Sequence, residues 1–248
     1  MNLSSYSHSR DNNFNLIRFI AAFLVLFGHS FPIVNGPKLV EPLQNAIHMT
    51  WGAIAVDIFF VISGFLIAGS FFSRKKIIVF LWARILRIYP ALIINILFCV
   101  FVVGLFFTNI PATDYLAQTG TYKYLIRNVT LLWGGVNHHL PGVFIDNPVA
   151  KAVNGSLWTL PYEIKMYGLL LITAVSVVFF QNKTRHELQK TVFFSIAFLS
   201  FSVHILNHFF QFAPGQFLRL LTFFFMGSAF YVFKDNIILS KKIWGYAS

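Results

Sequence analysis

The sequence predicts an all-α fold: a polytopic membrane helix bundle with about six to seven spans and a cytoplasmic N-terminus. Three observations predict it. Of 248 residues, 57% are hydrophobic and only 11% are charged, where soluble domains carry about a quarter charged residues. The apolar residues fall in long blocks. Lys and Arg collect at the ends of those blocks, and unevenly between the two sides.

The first block, 15–34, follows the polar stretch SSYSHSRDNN. Arg18 interrupts its start and no small-x-small cleavage site follows, so it reads as a retained span rather than a signal peptide. Blocks at 51–72, 88–108, 157–180, 191–211 and 217–233 are each near the length that crosses a bilayer, about 20 residues. A seventh segment, 125–145, contains LLWGGVNHHLPGVF. Its Gly pair, two His and Pro suit a partly inserted or surface segment better than a span.

Orientation follows from the basic residues. With the N-terminus inside, inward segments hold Arg10, then Arg74, Lys75, Lys76, Arg84 and Arg87, then Lys183, Arg185 and Lys190, then Lys234, Lys241 and Lys242. Outward segments hold only Lys38, Lys123, Arg127 and Lys151. That asymmetry predicts N-in. Residues 109–156 then form a long outward loop, and a loop of that length points to function. Residues 1–248 read as a single domain. The closing KDNIILSKKIWGYAS resembles an inside loop followed by the start of another span, which suggests a C-terminally truncated domain.

The same features exclude several classes. A net charge of +11 invites a nucleic-acid reading, but its distribution at block ends is that of membrane topology. Cys99 is the single cysteine, so neither a disulfide nor a Cys-based metal site is expected. Asn-x-Ser/Thr triplets at Asn128, Asn154 and Asn182 are short enough to arise by chance. The 31 Phe residues read as lipid-facing or core.

Ionisable side chains within spans are costly, which makes each a functional hypothesis. Arg18 and His29 lie eleven positions apart, about three turns, on nearly one helix face and roughly 16 Å apart along the axis. On the predicted topology His29 sits roughly 21 Å above the inner end of its span, in the outer third of the hydrocarbon layer. Asp57 and Glu163 fall at a similar level on two other spans. Arg18, Arg84 and Arg87 lie near the inner face. Guanidinium groups bind phosphate oxygens bidentately, and a His held by an acid suits general-base activation of a hydroxyl. The set fits acyl transfer from a cytoplasmic, phosphate-carrying thioester to a hydroxyl outside. Alternatives stay open. Arg84 is either a donor contact or a snorkelling anchor, and Asp57 either acts on His29 or caps the second span. His204 and His208 have i,i+4 metal-ligand spacing but no third ligand, and no metal is expected. His138 and His139 are either a solvated pair or a substrate contact. A proton-coupled transporter and an inactive truncated relative are the competing functions. The first is disfavoured because no internal repeat is visible.

Four motifs in order are familiar: the Arg-x10-His of the first span, VDIFFVISGFLI at 56–67, RILRIYPA at 84–91 and NGSLWTLPYEIKMY at 154–167. Together, over about residues 13–180, they resemble the acyltransferase 3 family of membrane acyltransferases. The resemblance implies a bundle of about ten helices in a bacterial inner membrane. It implies an acyl-CoA cosubstrate, often acetyl-CoA, with no bound cofactor. The implied acceptor is an extracytoplasmic polysaccharide or glycolipid such as lipopolysaccharide. By motif position His29 matches the family's essential histidine and Arg18 its paired arginine. Arg84 and Arg87 match its Arg-x-x-Arg, and Ser156, Trp158 and Glu163 its Ser-Leu-Trp…Glu element. Ser63 and Gly64 match its Ser-Gly pair, where small residues let helices approach closely. Asn15 stands where the family commonly has an acidic residue, and the family's last three or four spans lie beyond the chain.

Overall fold

The computed structural model describes residues 2–4, 12–36, 41–131, 135–149, 151–179, 185–212 and 215–238. Arg10, Lys38, Lys183, Lys241, Lys242 and the Asn182 triplet lie outside the described residues. The described residues are mostly helical, and the extended pairing among them is limited to two isolated β-bridges, Asn2 with Ile238 and Thr108 with Val143. In chain order the helices are α1 (Phe14–Asn35), α2 (Pro42–Ile47), α3 (Trp51–Arg74), α4 (Ile77–Phe98), α5 (Ala112–Ala117), α6 (Thr119–Thr130), α7 (Leu160–Phe179), α8 (Arg185–Phe210) and α9 (Gly215–Val232). A π-helical stretch, Cys99–Gly104, and a last turn, Leu105–Phe107, prolong α4. A 3₁₀ turn, Gly155–Thr159, leads into α7. Six of these segments are long and apolar enough to cross a membrane. The segment 125–145 is not among them; where it is described it consists of the end of α6 and irregular backbone.

The third span corrects the sequence expectation. It begins at Ile77 rather than residue 88 and runs unbroken to Phe107, 31 residues. At 1.5 Å per residue that is about 46 Å, longer than the hydrocarbon layer of about 30 Å. Arg84 and Arg87 therefore lie within the helix, not in a loop before it. Apolar residues flank both arginines, which keeps the helical pattern going, and excess length brings charged side chains to the headgroup level. Pro90 lies inside α4 and removes the N–H that would bond the Leu86 carbonyl.

The chain divides into two compact units. The first comprises Met1–Leu26, Met49–Ile77 and Met166–Ser248. Its centre is α9, packed against α3 on one side and α8 on another. Contact between α3 and α9 is made through glycine. A Cβ on Gly64 would land on the Phe224 carbonyl oxygen, and one on Gly227 would land on the Val61 carbonyl oxygen. Ser228 Oγ sits 3.2 Å from the Gly64 carbonyl and 3.0 Å from that of Phe224, so the small-residue patch is also satisfied in hydrogen bonds. Aromatic rings fill the space around it. Tyr231 meets Phe65 edge-on at 5.5 Å, and Phe193 lies 6.1 Å from Phe225. Part of the large Phe complement is thus core. α3 is closed at both ends. The Thr50 hydroxyl accepts from the Ala53 N–H (3.0 Å), and Lys75, at φ +53°, donates its N–H to the Phe71 carbonyl (2.7 Å). Thr50, not Asp57, is the N-cap, so the capping alternative for Asp57 fails: it lies two turns further in. Leu3 donates its N–H to the Ile237 carbonyl (3.0 Å), so the N-terminal residues meet the turn that follows α9.

The second unit comprises Phe27–His48 and Ile78–Lys165. Its long connecting segment is ordered by side-chain clamps rather than by a sheet. The buried carboxamide of Asn128 holds Asn137 on both sides, donating to its carbonyl (2.9 Å) and accepting from its N–H (2.8 Å). The Thr108 hydroxyl donates to the Pro141 carbonyl (2.9 Å), and Asn109 N–H donates to that of Gly142 (3.0 Å). Gly142 has φ +71°, a conformation that favours glycine. The fully buried Tyr115 donates its hydroxyl to the Val100 carbonyl (3.0 Å) in the π-helical stretch. Its ring tip occupies the space a Cβ on Gly104 would need. Burial pushes the Tyr115 hydroxyl up to about 12, so it stays a donor across the physiological range.

Candidate active site

Of the sequence-predicted site residues, His29, Arg84, Arg87, Ser156, Trp158 and Glu163 belong to the second unit. Arg18, Asp57, Ser63 and Gly64 belong to the first.

His29 lies near the C-terminal end of α1 and is exposed, beside the buried Gly28. The turn that carries it departs from regular helix bonding. Pro32 lies inside α1 and has no N–H to offer the Gly28 carbonyl. The Ser30 hydroxyl donates to the Phe27 carbonyl at 2.6 Å. An imidazole thus stands in a locally polar turn within an otherwise apolar helix.

The Ser-Leu-Trp…Glu element is built on Asn154. Its side-chain oxygen accepts from the Ser156 N–H (3.1 Å), capping the 3₁₀ turn. Its side-chain nitrogen donates to Asn95 Oδ1 on α4 (2.9 Å). Its carbonyl accepts from His138 Nδ1 (2.9 Å). One residue therefore ties the start of the element to α4 and to the preceding loop. Ser156 is exposed and Trp158 is half-buried, its ring edge-to-face with Tyr162 at 5.9 Å. Glu163 is half-buried in the first turn of α7, where the helix dipole favours a carboxylate. His139 Nδ1 lies 2.9 Å from the Lys151 carbonyl, so His138 and His139 both pin loop backbone and are not simply solvated.

Arg84 and Arg87 are three positions apart on α4, close neighbours on the helix surface. Arg84 is half-buried, with its guanidinium 5.7 Å from the centre of the Phe80 ring, and Arg87 is exposed. Arg18, in the first unit, is half-buried.

Asp57 has a partner that sequence reasoning missed. It is 5% exposed on α3, and its Oδ1 accepts from Arg219 Nε at 2.9 Å. Arg219 Nη2 also reaches the Ala53 carbonyl at 3.4 Å. The signal was present: a lone arginine in GQFLRLLTFFF is an ionisable group in a span and demands a partner. Arg219 stands one turn inside α9, and no local pattern names its partner. Asn95 and Asn154 were missed for another reason. Uncharged amides give no sequence signal until the fold brings them together.

The arrangement supplies a histidine in a membrane helix, an acid at a helix N-terminus and a pair of arginines within one unit. Acid–base chemistry on a hydroxyl needs the first two, and an anionic co-reactant needs the third.

The family described as "Acyltransferase domain" matches residues 11–247. The chain is 31% identical over 172 residues to "Nodulation protein 10" of Rhizobium leguminosarum bv. viciae, covering 66% of this chain and 44% of that protein. It is 30% identical over 191 residues to the "O-acetyl transferase" of Shigella phage Sf6, covering 77% of this chain and 53% of that protein. The chain spans about half the length of these curated relatives. No solved structure matches it. With the family matched over nearly the whole chain and the four motifs borne on four of the six apolar helices, the chain belongs to the acyltransferase 3 family.

Proposed function

We propose that the chain is an integral-membrane O-acyltransferase. It moves an acyl group, acetyl in the first instance, from cytoplasmic acyl-CoA to a hydroxyl of an extracytoplasmic polysaccharide or glycolipid, in a bacterial inner membrane. Family membership over residues 11–247 carries this reading. The phage relative is named an O-acetyl transferase, which supports acetyl as the group moved.

In this reading His29 takes the proton of the acceptor hydroxyl as its oxygen attacks the thioester carbonyl. The new carbon–oxygen bond forms, the carbon–sulfur bond breaks, and the proton passes to the departing thiolate of coenzyme A. Transient acylation of His29 itself is the two-step version of the same balance. Glu163 orients the imidazole and stabilises its protonated form. Asp57, engaged by Arg219, positions α3 against α9 instead. Arg84 and Arg87, both in the second unit, hold the donor's phosphates, for which guanidinium groups have the matching fork geometry; Arg18 is assigned to donor binding by motif position alone. Acyl-CoA is consumed as cosubstrate, and no bound cofactor or metal takes part.

Sidedness makes the reading testable. Labelled acetyl-CoA given to inside-out membrane vesicles should place label on the glycan, and right-side-out sealed vesicles should place none. Equal labelling in both orientations contradicts cytoplasmic donor entry. No labelling in either contradicts transfer from acetyl-CoA.

A further inference from the structure

A cavity of about 350 Å³ lies wholly within the second unit, and the mechanism above does not use it. Pockets that take small ligands run from roughly 300 to 1,000 Å³, so an acetyl group fills only a fraction of it. Leu131 and Pro161 give it apolar walls, and its functional groups are Trp158, Tyr162, Lys165 and His138.

Three features define its chemistry. Trp158 and Tyr162 lie about one turn apart and meet edge to face at 5.9 Å, a rigid aromatic corner. Lys165 Nζ lies 5.4 Å from the centre of the Tyr162 ring, within cation–π range, and no Asp or Glu is among the described lining residues. His138 is fixed by two backbone bonds: its Nδ1 to the Asn154 carbonyl, and the Val153 N–H to its own carbonyl, both at 2.9 Å. A carbonyl only accepts, so Nδ1 carries the proton. Nε2 of the neutral ring is then a hydrogen-bond acceptor.

We propose that this cavity is an acceptor subsite for a carboxylate-bearing hexopyranose. The apolar C–H face of the ring lies on the aromatic corner, the carboxylate meets Lys165 Nζ, and a ring hydroxyl donates to His138 Nε2. Lys165 is then the specificity-determining residue that selects acidic over neutral sugars. The inference rests on the acyl-transfer reading for its place in the reaction. The lining chemistry stands independently of that reading.

The test uses the full chain in lipid nanodiscs. Its probes are a fluorescent oligosaccharide of glucuronic acid and the matching oligosaccharide of glucose, bound by anisotropy. The acidic probe should bind about tenfold tighter, the scale of one charge-assisted hydrogen bond, and the preference should shrink as salt rises. Lys165→Gln should abolish the preference and leave neutral binding unchanged. Lys165→Arg should retain it, and Trp158→Ala should weaken both probes. Lys165 is exposed, so its variants should melt with the parent. Equal binding of the probes, binding of neither, a preference that survives Lys165→Gln, or displacement of the acidic probe by coenzyme A would each overturn the subsite. The two readings fail separately. Acidic-sugar binding without acetyl transfer keeps the subsite and removes the transfer. Transfer with no acidic preference does the reverse.

Discussion

Asn154 carries no charge, yet three separate parts of the second unit meet on it: the 3₁₀ turn it caps, Asn95 on α4 and the His138 ring. Replacing it by Ala removes an N-cap, about 1 kcal/mol, and leaves Asn95 Oδ1 with only the long contact from the Cys99 thiol (3.8 Å). Asn154→Ala should therefore lower the melting temperature and cut acyl transfer at least tenfold at equal membrane abundance. Asn154→Asp keeps the capping oxygen and loses only the donor to Asn95, so its melting temperature should fall between those of Ala and the parent. An Asp variant as unstable as Ala would show that the cap contributes nothing. Glu163→Gln gives up a dipole-favoured charge, about 0.3–1 kcal/mol, and should lower kcat roughly 100-fold, the low end of a general acid–base contribution. A change confined to KM would remove Glu163 from the proton chemistry. Much at this scale was legible in the sequence. Ionisable residues in apolar blocks announce themselves by their cost, which is how His29, Asp57 and Glu163 stood out. Asn95 and Asn154 cost little when exposed, and only the fold shows that each satisfies the other.

At the scale of helices, α3 and α9 are held by two unlike devices. One is close backbone approach at Gly64 and Gly227. The other is the Asp57–Arg219 ion pair, whose side chains are 7% and 18% exposed. Gly64→Leu has no room, because the obstacle is the Phe224 backbone, so the variant should fail to accumulate as folded protein. A Cβ on Gly168, in α7, would meet nothing within 4 Å among the described residues, and Gly168→Ala should be neutral by the same assay. Breaking a buried pair leaves one charge uncompensated and costs about 3–5 kcal/mol. Asp57→Asn and Arg219→Met should each lower the melting temperature sharply, and the double variant should recover much of the loss. Additive losses in that cycle would mean the two side chains do not act on each other. Helix existence was readable from apolar length alone. Helix starts were not: α4 begins at Ile77 because apolar residues around Arg84 and Arg87 continue the helix past charges that looked like loop. The pairing of Asp57 with Arg219, 162 residues away, has no local signal at all.

For the whole molecule, six apolar helices and the bond between Leu3 and Ile237 put the N-terminal residues and the end of α9 together. Six candidate spans among the described residues fit this, since an even number of crossings returns a chain to the side it started from. With the bias of Lys and Arg, we infer that both lie on the cytoplasmic side. Cys99 is buried and is the chain's single cysteine, so a Cys99→Ala background isolates one introduced thiol at a time. Ser73→Cys, at the exposed end of α3, should react with an impermeant maleimide only in inside-out vesicles. Asp146→Cys, in the exposed loop before α7, should react only in right-side-out ones. The opposite pattern would invert the topology and, with it, the donor and acceptor sides. Composition and charge asymmetry made the membrane class legible, since both are imposed by the bilayer on every residue. The division into two compact units was not, because it depends on which helices touch.

The central claim is acyl transfer that depends on His29. Its most direct test is base-labile acetate on the surface polysaccharide of cells expressing the chain, compared with His29→Ala at matched membrane abundance. The account predicts acetate with the parent and its loss with His29→Ala. Equal acetate in both, or none with the parent, would contradict it.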